Sequence, residues 1–104
     1  MDIYNLNDYI KGWFIGNFEP SLLKTENFEV AIKKYSAGEY EKAHYHKIAT
    51  ELTVIISGEV EMNGIFFKEN DIIKINTNEK TDFKCLTDVI TVVIKTPSVK
   101  NDKY

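Results

Sequence analysis

Short β-prone segments separated by turn residues follow one another from Gly12 almost to the end of the chain. Residues 13–18, 28–35, 43–46, 51–56, 59–62, 65–67, 71–75, 81–86 and 89–95 are predicted strands. Eight or nine strands at this spacing, with no long helix, predict an antiparallel sandwich or barrel. Before them, Ile3, Leu6, Ile10 and Trp13 have roughly helical spacing, which is compatible with a short N-terminal helix or turn.

Turn residues predict how some of these strands connect. Asn63-Gly64 is the strongest hairpin signal in the chain, because both residues tolerate the positive φ angles of a tight type I′ turn. Ser57-Gly58 predicts a second hairpin, between the strands 51–56 and 59–62. Thr87-Asp88 is the predicted turn before the last strand.

Two predicted strands, 51–56 and 89–94, are apolar on both faces. One parity of the first strand carries Glu51, Thr53 and Ile55, and the other carries Leu52, Val54 and Ile56. A strand of this kind is usually covered on both sides. Packing of one sheet on the other supplies one cover, and the interface of a two-fold homodimer is the predicted second cover.

The length of 104 residues predicts one domain, covering 1–104, that can fold around an ordinary hydrophobic core. A metal ion is therefore expected to serve function and not folding. The single cysteine, Cys85, excludes an intrachain disulfide and fits a reducing compartment.

The charge pattern and the absence of long apolar runs narrow the classes of partner. Thirteen basic residues against sixteen acidic ones leave a formal charge of -3 without a basic block, which disfavours nucleic acid as a partner. No apolar run approaches the roughly 18 residues needed to cross a bilayer, and Met1-Asp2-Ile3-Tyr4 does not resemble a signal peptide. A cytoplasmic protein with no membrane partner is expected.

The only two histidines, His44 and His46, are followed by Glu51. Imidazoles one residue apart on an extended segment point to the same face. Glu51 opens an apolar strand, where burial of an unpaired carboxylate costs several kcal/mol. Two imidazoles and one carboxylate form a ligand set for a divalent transition metal such as Fe, Mn, Zn or Ni, with positions left open. The pattern thus predicts a metal site at these three residues.

The spacing from Gly38 to Gly58, Gly-x5-His-x-His-x4-Glu-x6-Gly, resembles the first motif of the cupin superfamily at every defined position. The resemblance implies a small all-β domain, a double-stranded β-helix or jelly-roll barrel with its core at about residues 28–95. It also implies that His44, His46 and Glu51 correspond to metal ligands inside the mouth of the barrel.

The second motif of that family, Gly-x5-Pro-x-Gly-x2-His-x3-Asn, aligns with residues 70–85 without a gap, but every specified residue differs. Thr81 stands in place of the histidine, and Cys85 in place of the asparagine. Three alternatives follow. The metal is held by the first-motif residues alone, or Cys85 replaces the lost ligand, or no metal is bound. By strand parity Thr81 and Cys85 share an inward face, and Asp82 points outward.

Three functions are compatible with these residues. The first is a metal-dependent enzyme, such as an isomerase, epimerase, lyase or dioxygenase, that acts on a small polar metabolite such as a sugar or an oxo acid. The alternative is a non-catalytic module that binds a small molecule and has lost its metal. A structural role is a third candidate, and the fold alone does not rank them. The sequence does not identify catalytic residues beyond the proposed ligands.

Overall fold

Nine β-strands and one turn of 3-10 helix make up the chain in the computed structural model, which describes residues 1–104. The 3-10 helix is η1 (Leu6–Asp8). The strands are β1 (Trp13–Ile15), β2 (Glu29–Tyr35), β3 (Tyr40–His44), β4 (Thr50–Ser57), β5 (Glu59–Met62), β6 (Ile65–Lys68), β7 (Ile72–Ile75), β8 (Thr81–Cys85) and β9 (Val89–Thr96). The predicted all-β class is confirmed.

The strands form two antiparallel sheets, in the orders β1-β2-β9-β4-β7 and β3-β8-β5-β6. Between β2 and β9 the chain changes sheet at every connection except the one from β5 to β6. This alternation winds the chain around a barrel and is the topology of a jelly roll. No helix in the structure is long and apolar enough to cross a membrane.

The hairpin predicted at Ser57-Gly58 is wrong. Strand β4 pairs with β7 and β9, and β5 pairs with β6 and β8, so the chain crosses between sheets at Gly58. Gly58 has a φ of 92°, and a Cβ built on it would lie 2.2 Å from the carbonyl oxygen of Asp88. The glycine is required because this crossover lies directly against the one at Thr87-Asp88.

The crossover at Thr87-Asp88 is joined to the first one by hydrogen bonds. The Thr87 hydroxyl accepts from the backbone N–H of Glu59 at 3.0 Å, and the N–H of Leu86 donates to the carbonyl of Glu59 at 2.9 Å. By contrast, the hairpin at Asn63-Gly64 is confirmed, with φ angles of 50° and 79° and Met62 paired with Ile65.

One end of the barrel is filled by apolar side chains and the other end is lined by polar ones. The filled end contains a core cluster of Ile55, Val60, Met62, Ile75, Phe83, Cys85 and Val89. At the other end, the inner face of the five-stranded sheet carries a row in which Lys95 is paired with Glu29 on one side and Glu51 on the other. Burying such a row completely would be costly, and this end forms an open cavity.

The outer face of the five-stranded sheet is apolar, as the two-faced strands predict. Leu52, Val54 and Ile56 on β4 lie beside Ile90, Val92 and Ile94 on β9, and all six keep part of their surface exposed. Ile56 is 44% exposed, and Ile72 on the edge strand β7 is 67% exposed. No element of this chain covers the face completely.

The last residues of the chain fold back against the histidine segment. Tyr104 and Tyr45 exchange two backbone hydrogen bonds, of 3.1 and 3.0 Å, and their rings are stacked with centroids 5.6 Å apart. The ammonium of Lys47 lies 4.0 Å from the centre of the Tyr104 ring, at cation–π distance. We call residues 98–104 the C-terminal strap.

Candidate functional site

The open end of the barrel holds a cavity of about 530 Å³ that is lined by residues of both sheets. His44 and Thr81 enter it from the four-stranded sheet, and Glu51 enters it from the five-stranded sheet. Four lysines also line it, Lys11, Lys33, Lys95 and Lys103. A volume of this size accommodates a small metabolite.

His46 lies just beyond β3 and is buried, with 5% of its surface exposed. Its Nδ1 atom is 2.6 Å from the backbone carbonyl oxygen of Asp102. A carbonyl oxygen can only accept, so Nδ1 donates this hydrogen bond and carries the proton. In the neutral imidazole, Nε2 then holds a free lone pair, which is the form that binds metals.

The Nε2 atom of His46 has no hydrogen-bond partner and lies 3.6 Å from Oε1 of Glu51. The other carboxylate oxygen of Glu51 accepts a hydrogen bond from the hydroxyl of Thr53 at 3.2 Å. Burial alone would raise the pKa of Glu51. Lys95 and the Thr53 hydroxyl oppose burial, and a proton on His46 Nε2 would oppose it further, so that the pKa of Glu51 is lowered. Glu51 is therefore a carboxylate at neutral pH.

His44 ends β3, where it is paired with Thr81 of β8. Its ring packs edge-on against that of His46, with centroids 5.3 Å apart, and its Nδ1 lies 3.4 Å from the carbonyl oxygen of Lys42. Burial lowers the pKa of His44, and the cationic Lys103 contributes to the decrease. The imidazole is consequently neutral at pH 7.

The three predicted ligands are neighbours, yet no group of three or more His, Cys, Asp or Glu side chains is arranged to hold a metal ion. His46 and Glu51 come closest to such an arrangement. Two atoms that each lie about 2.1 Å from one ion in tetrahedral geometry are about 3.4 Å apart, and the observed separation is 3.6 Å. The donor types and the unpartnered Nε2 atom fit a divalent transition metal.

Thr81 faces the cavity, whereas Cys85 does not. Both belong to the buried parity of β8, together with Phe83. Four residues along a strand correspond to about 13 Å, which takes Cys85 into the core cluster at the filled end. There, burial raises the pKa of its thiol to about 11. Cys85 therefore does not occupy the position of the missing ligand, and the Thr81 hydroxyl is engaged with the carbonyl of Asp82 at 2.8 Å.

Several residues of the site are not evident from motifs. Asp102 lies in the strap, and its carboxylate accepts from the backbone N–H groups of Lys47, Ile48 and Ala49 at 2.9 to 3.2 Å. No local pattern predicts this contact. Lys33 belongs to no motif, but it shares the inward parity of the fully buried Ala31, and that parity is the signal that could have identified it.

Comparisons with known proteins support the fold and leave the function open. No family model matches the sequence, and no curated protein matches it either. Among solved structures, an uncharacterised protein from Klebsiella pneumoniae with a double-stranded β-helix domain is 22% identical, with a TM-score of 0.69 over 92% of this chain and 84% of that one.

Two further structures extend this likeness. KdgF from Halomonas sp. is 16% identical, with a TM-score of 0.67 over 74% of each chain. The DMSP lyase DddQ from Ruegeria pomeroyi is 16% identical, with a TM-score of 0.71 over 93% of this chain and 53% of that one. Similarity at these identities shows the fold. The chain has the double-stranded β-helix fold of the cupins, as the resemblance of residues 38–58 to the first cupin motif implies.

Proposed function

We propose that the protein is a metal-dependent enzyme that binds a divalent transition metal at His44, His46 and Glu51 and acts on a small polar metabolite. One observation carries this proposal. The lone pair of His46 Nε2 and the carboxylate of Glu51 face each other at 3.6 Å without a hydrogen bond between them. Two acceptors in a buried position repel each other unless a cation or a proton lies between them.

The surrounding residues support the metal by fixing the donor atoms. The Asp102 carbonyl holds His46 in the tautomer that leaves Nε2 free, and the Thr53 hydroxyl holds Glu51. Partners of this kind orient first-sphere ligands and raise metal affinity. A bound divalent ion would supply Lewis acidity toward a carbonyl or hydroxyl oxygen of the substrate. Isomerase, epimerase, lyase and dioxygenase chemistry all remain candidates.

The second candidate is a non-catalytic module that binds a metabolite in the same cavity. It is favoured by the absence of a ready-made three-ligand group. In this case a proton takes the place of the metal, and His46 and Glu51 form an ion pair across their 3.6 Å separation. The cavity then binds its ligand through hydrogen bonds and charge alone.

Metal titration tests the proposal. Protein without a histidine tag, stripped of metal by a chelating resin, is titrated with Mn²⁺, Zn²⁺, Ni²⁺ and, without oxygen, Fe²⁺. The isosteric Glu51→Gln variant and His44→Ala are compared with Glu59→Gln, whose side chain is exposed on β5. We expect one equivalent per chain in wild type and Glu59→Gln, and affinity lower on the order of 100-fold in Glu51→Gln.

Equal affinity in wild type and Glu51→Gln, or binding well below one equivalent, would contradict the metal site. If one equivalent binds, turnover of candidate sugars and oxo acids by the loaded protein separates the enzyme from the binding module. Oxygen uptake with Fe²⁺ distinguishes a dioxygenase from the other reactions. The metal found after purification need not be the working one, because affinity for N and O ligands follows the general order of divalent ions.

We also propose that the protein is a homodimer through the apolar outer face of the five-stranded sheet. The outward side chains of β2, β9, β4 and β7, which are mostly apolar but include Lys34 and Lys74, span roughly 400 Å² in projection at about 4.8 Å between strands. Monomers rarely expose an apolar patch larger than this, and such a patch can form the centre of the roughly 800 Å² that a stable interface buries on each partner. A second copy supplies a face of the same kind and size, as two-fold symmetry requires.

A further inference from the structure

Two lysines of the five-stranded sheet enter the cavity beside the only tryptophan of the chain. Lys33 of β2 and Lys95 of β9 belong to the inward parity of their strands and line the cavity. The ammonium groups lie 5.7 and 4.9 Å from the ring centre of Trp13. Two positive charges therefore share one indole ring at the wall of the cavity.

Neither lysine has a carboxylate partner. The ion pairs of the structure are Lys24 with Glu19 and His46 with Glu51, and the only hydrogen bond from Lys33 is to the carbonyl oxygen of Lys11 at 3.1 Å. The carboxylates next to Lys95 are engaged elsewhere. Glu29 accepts from Ser98 at 3.2 Å, and Glu51 accepts from Thr53.

The ammonium group of Lys33 is held in an unfavourable position. Burial lowers the pKa of Lys33, Glu41 opposes this effect, and the ammonium groups of Lys11, Lys95 and Lys103 lower the pKa further. The protein thus places positive charge where its own environment disfavours it. An anion bound beside the two lysines would offset the repulsion.

An independent observation points to a ligand at the same wall. Thr91 is paired with Lys33 across β2 and β9, is fully buried and lines the cavity. Its hydroxyl oxygen has no hydrogen-bond partner. Buried hydroxyl groups in native proteins are almost always hydrogen-bonded to protein, water or a ligand, and Thr91 belongs to the deep wall of the cavity, where it is paired with Ile55 of the core cluster.

We propose that Lys33 and Lys95 form a carboxylate-binding subsite, with Thr91 in the cavity wall beside Lys33, so that the metabolite bound in the cavity is a small organic acid and not a neutral sugar. Lys95 is also the direct strand neighbour of Glu51. The carboxylate subsite therefore adjoins Glu51, which lines the same cavity, and a carbonyl or hydroxyl group of the same molecule can approach the metal site from the side of Glu51. This last step rests on the proposed function, whereas anion binding by the lysines does not.

The test measures binding to metal-free protein, so that it does not depend on the metal site. Glucuronate is compared with glucose, which lacks only the carboxylate, and with glucose 6-phosphate; malonate and pyruvate extend the acids to smaller molecules. Calorimetry and the fluorescence of Trp13 report binding. We expect saturable binding of at least one acid, at least 10-fold tighter than glucose and weakened by added salt.

Matched variants assign the binding to the subsite. Lys33→Met and Lys95→Met remove one charge each, and we expect at least 10-fold weaker binding of the acid. Lys34→Met removes the exposed neighbouring lysine of the same strand and should leave the affinity unchanged. The isosteric Thr91→Val should weaken binding by several-fold while the protein remains folded, as circular dichroism can verify.

Three results would overturn the subsite: no saturable response to any acid, equal affinity for glucuronate and glucose, or equal affinity in Lys33→Met and Lys34→Met. Tighter binding of glucose 6-phosphate than of every carboxylate would also reject a carboxylate as the natural group. A failed metal titration together with acid binding that depends on Lys33 would separate the two proposals, since only the metal-dependent function would then be lost.

Discussion

His46 donates a hydrogen bond of 2.6 Å to the backbone carbonyl of Asp102, a residue 56 positions further along the chain. The side chain of Asp102 binds the backbone that follows His46, through the N–H groups of Lys47, Ile48 and Ala49. One residue of the C-terminal strap therefore holds both the imidazole of the candidate metal ligand and the loop that carries it.

Replacement of Asp102 should affect stability and metal binding together. Asp102→Ala leaves three backbone N–H groups without their acceptor, and we expect a loss of about 2–4 kcal/mol in the free energy of unfolding. Asp102→Asn keeps one acceptor oxygen and should lose less. Urea denaturation at pH 7 measures both, and metal affinity should fall by roughly 10-fold or more in Asp102→Ala.

Asp88→Ala is the control for this comparison, because its exposed carboxylate accepts from a single backbone N–H, that of Ala37. It should cost about 1 kcal/mol or less. If Asp102→Ala were no more destabilised than Asp88→Ala, the strap would not hold the histidine loop in solution.

Two glycines in connections between the sheets allow a matched comparison of protein stability. Gly38 and Gly58 have φ angles of 90° and 92°, so alanine meets a similar backbone strain of about 1–2 kcal/mol at either position. A Cβ meets nothing within 4 Å at Gly38 but would lie 2.2 Å from the Asp88 carbonyl oxygen at Gly58. Thermal and urea unfolding should show Gly58→Ala to be about 1–3 kcal/mol less stable than Gly38→Ala. Equal stability would mean that the crossovers separate easily.

Cys85 should be inert in the folded protein. Its thiol lies in the core cluster, and burial raises its pKa from 9.0 to about 11. The thiolate is the reactive form, so iodoacetamide at pH 8 should label Cys85 only after denaturation. Labelling of the native protein at the rate of the unfolded chain would contradict this placement.

The same pKa shift of Cys85 predicts a dependence of stability on pH. Between about pH 9 and pH 11 the folded protein retains a proton that the unfolded chain releases. The folded state therefore binds more protons, and the free energy of unfolding decreases as the pH rises through this interval. The difference in stability between wild type and Cys85→Ala should shrink over this range and be constant below pH 8. A flat difference would show that the thiol is not buried.

A charged substitution tests whether the apolar outer face of the five-stranded sheet is a dimer interface. Val92 lies at the centre of that face on β9, and Val92→Lys should convert a dimer into a monomer in multi-angle light scattering, because a buried ammonium is costly. Ile65→Lys introduces the same charge at an exposed position of the four-stranded sheet and should leave the mass unchanged. A wild-type protein that is monomeric at high concentration would refute the dimer.

Residues that act locally were predictable from the sequence. The Asn63-Gly64 hairpin needs two positive φ angles that these residues supply, and alternation along an extended segment predicts that His44 and His46 point to the same face. The prediction at Ser57-Gly58 was wrong because a glycine required by a close approach of two crossovers looks the same as a glycine required by a hairpin. Asp102 was not predictable, since its partners lie more than 50 positions away.

The placement of Cys85 shows a different limit. Strand parity predicted correctly that Thr81, Phe83 and Cys85 face inward, but parity does not say which end of the barrel is filled and which is open. That division depends on how the two sheets close on each other. The same limit applies to Lys33, whose inward face was readable while the cavity in front of it was not.

The C-terminal strap can undock while both sheets stay paired. Both barrel sheets can pair before residues 98–104 dock, because the strap contributes to neither sheet. A terminal segment can open locally at a lower free energy than global unfolding requires. Each opening of the strap releases His46 Nδ1 from its acceptor, so the fraction of molecules in which His46 is held in this tautomer is limited by the fraction with a docked strap. Hydrogen exchange at the amides of Tyr45 and Ala49 measures that fraction directly.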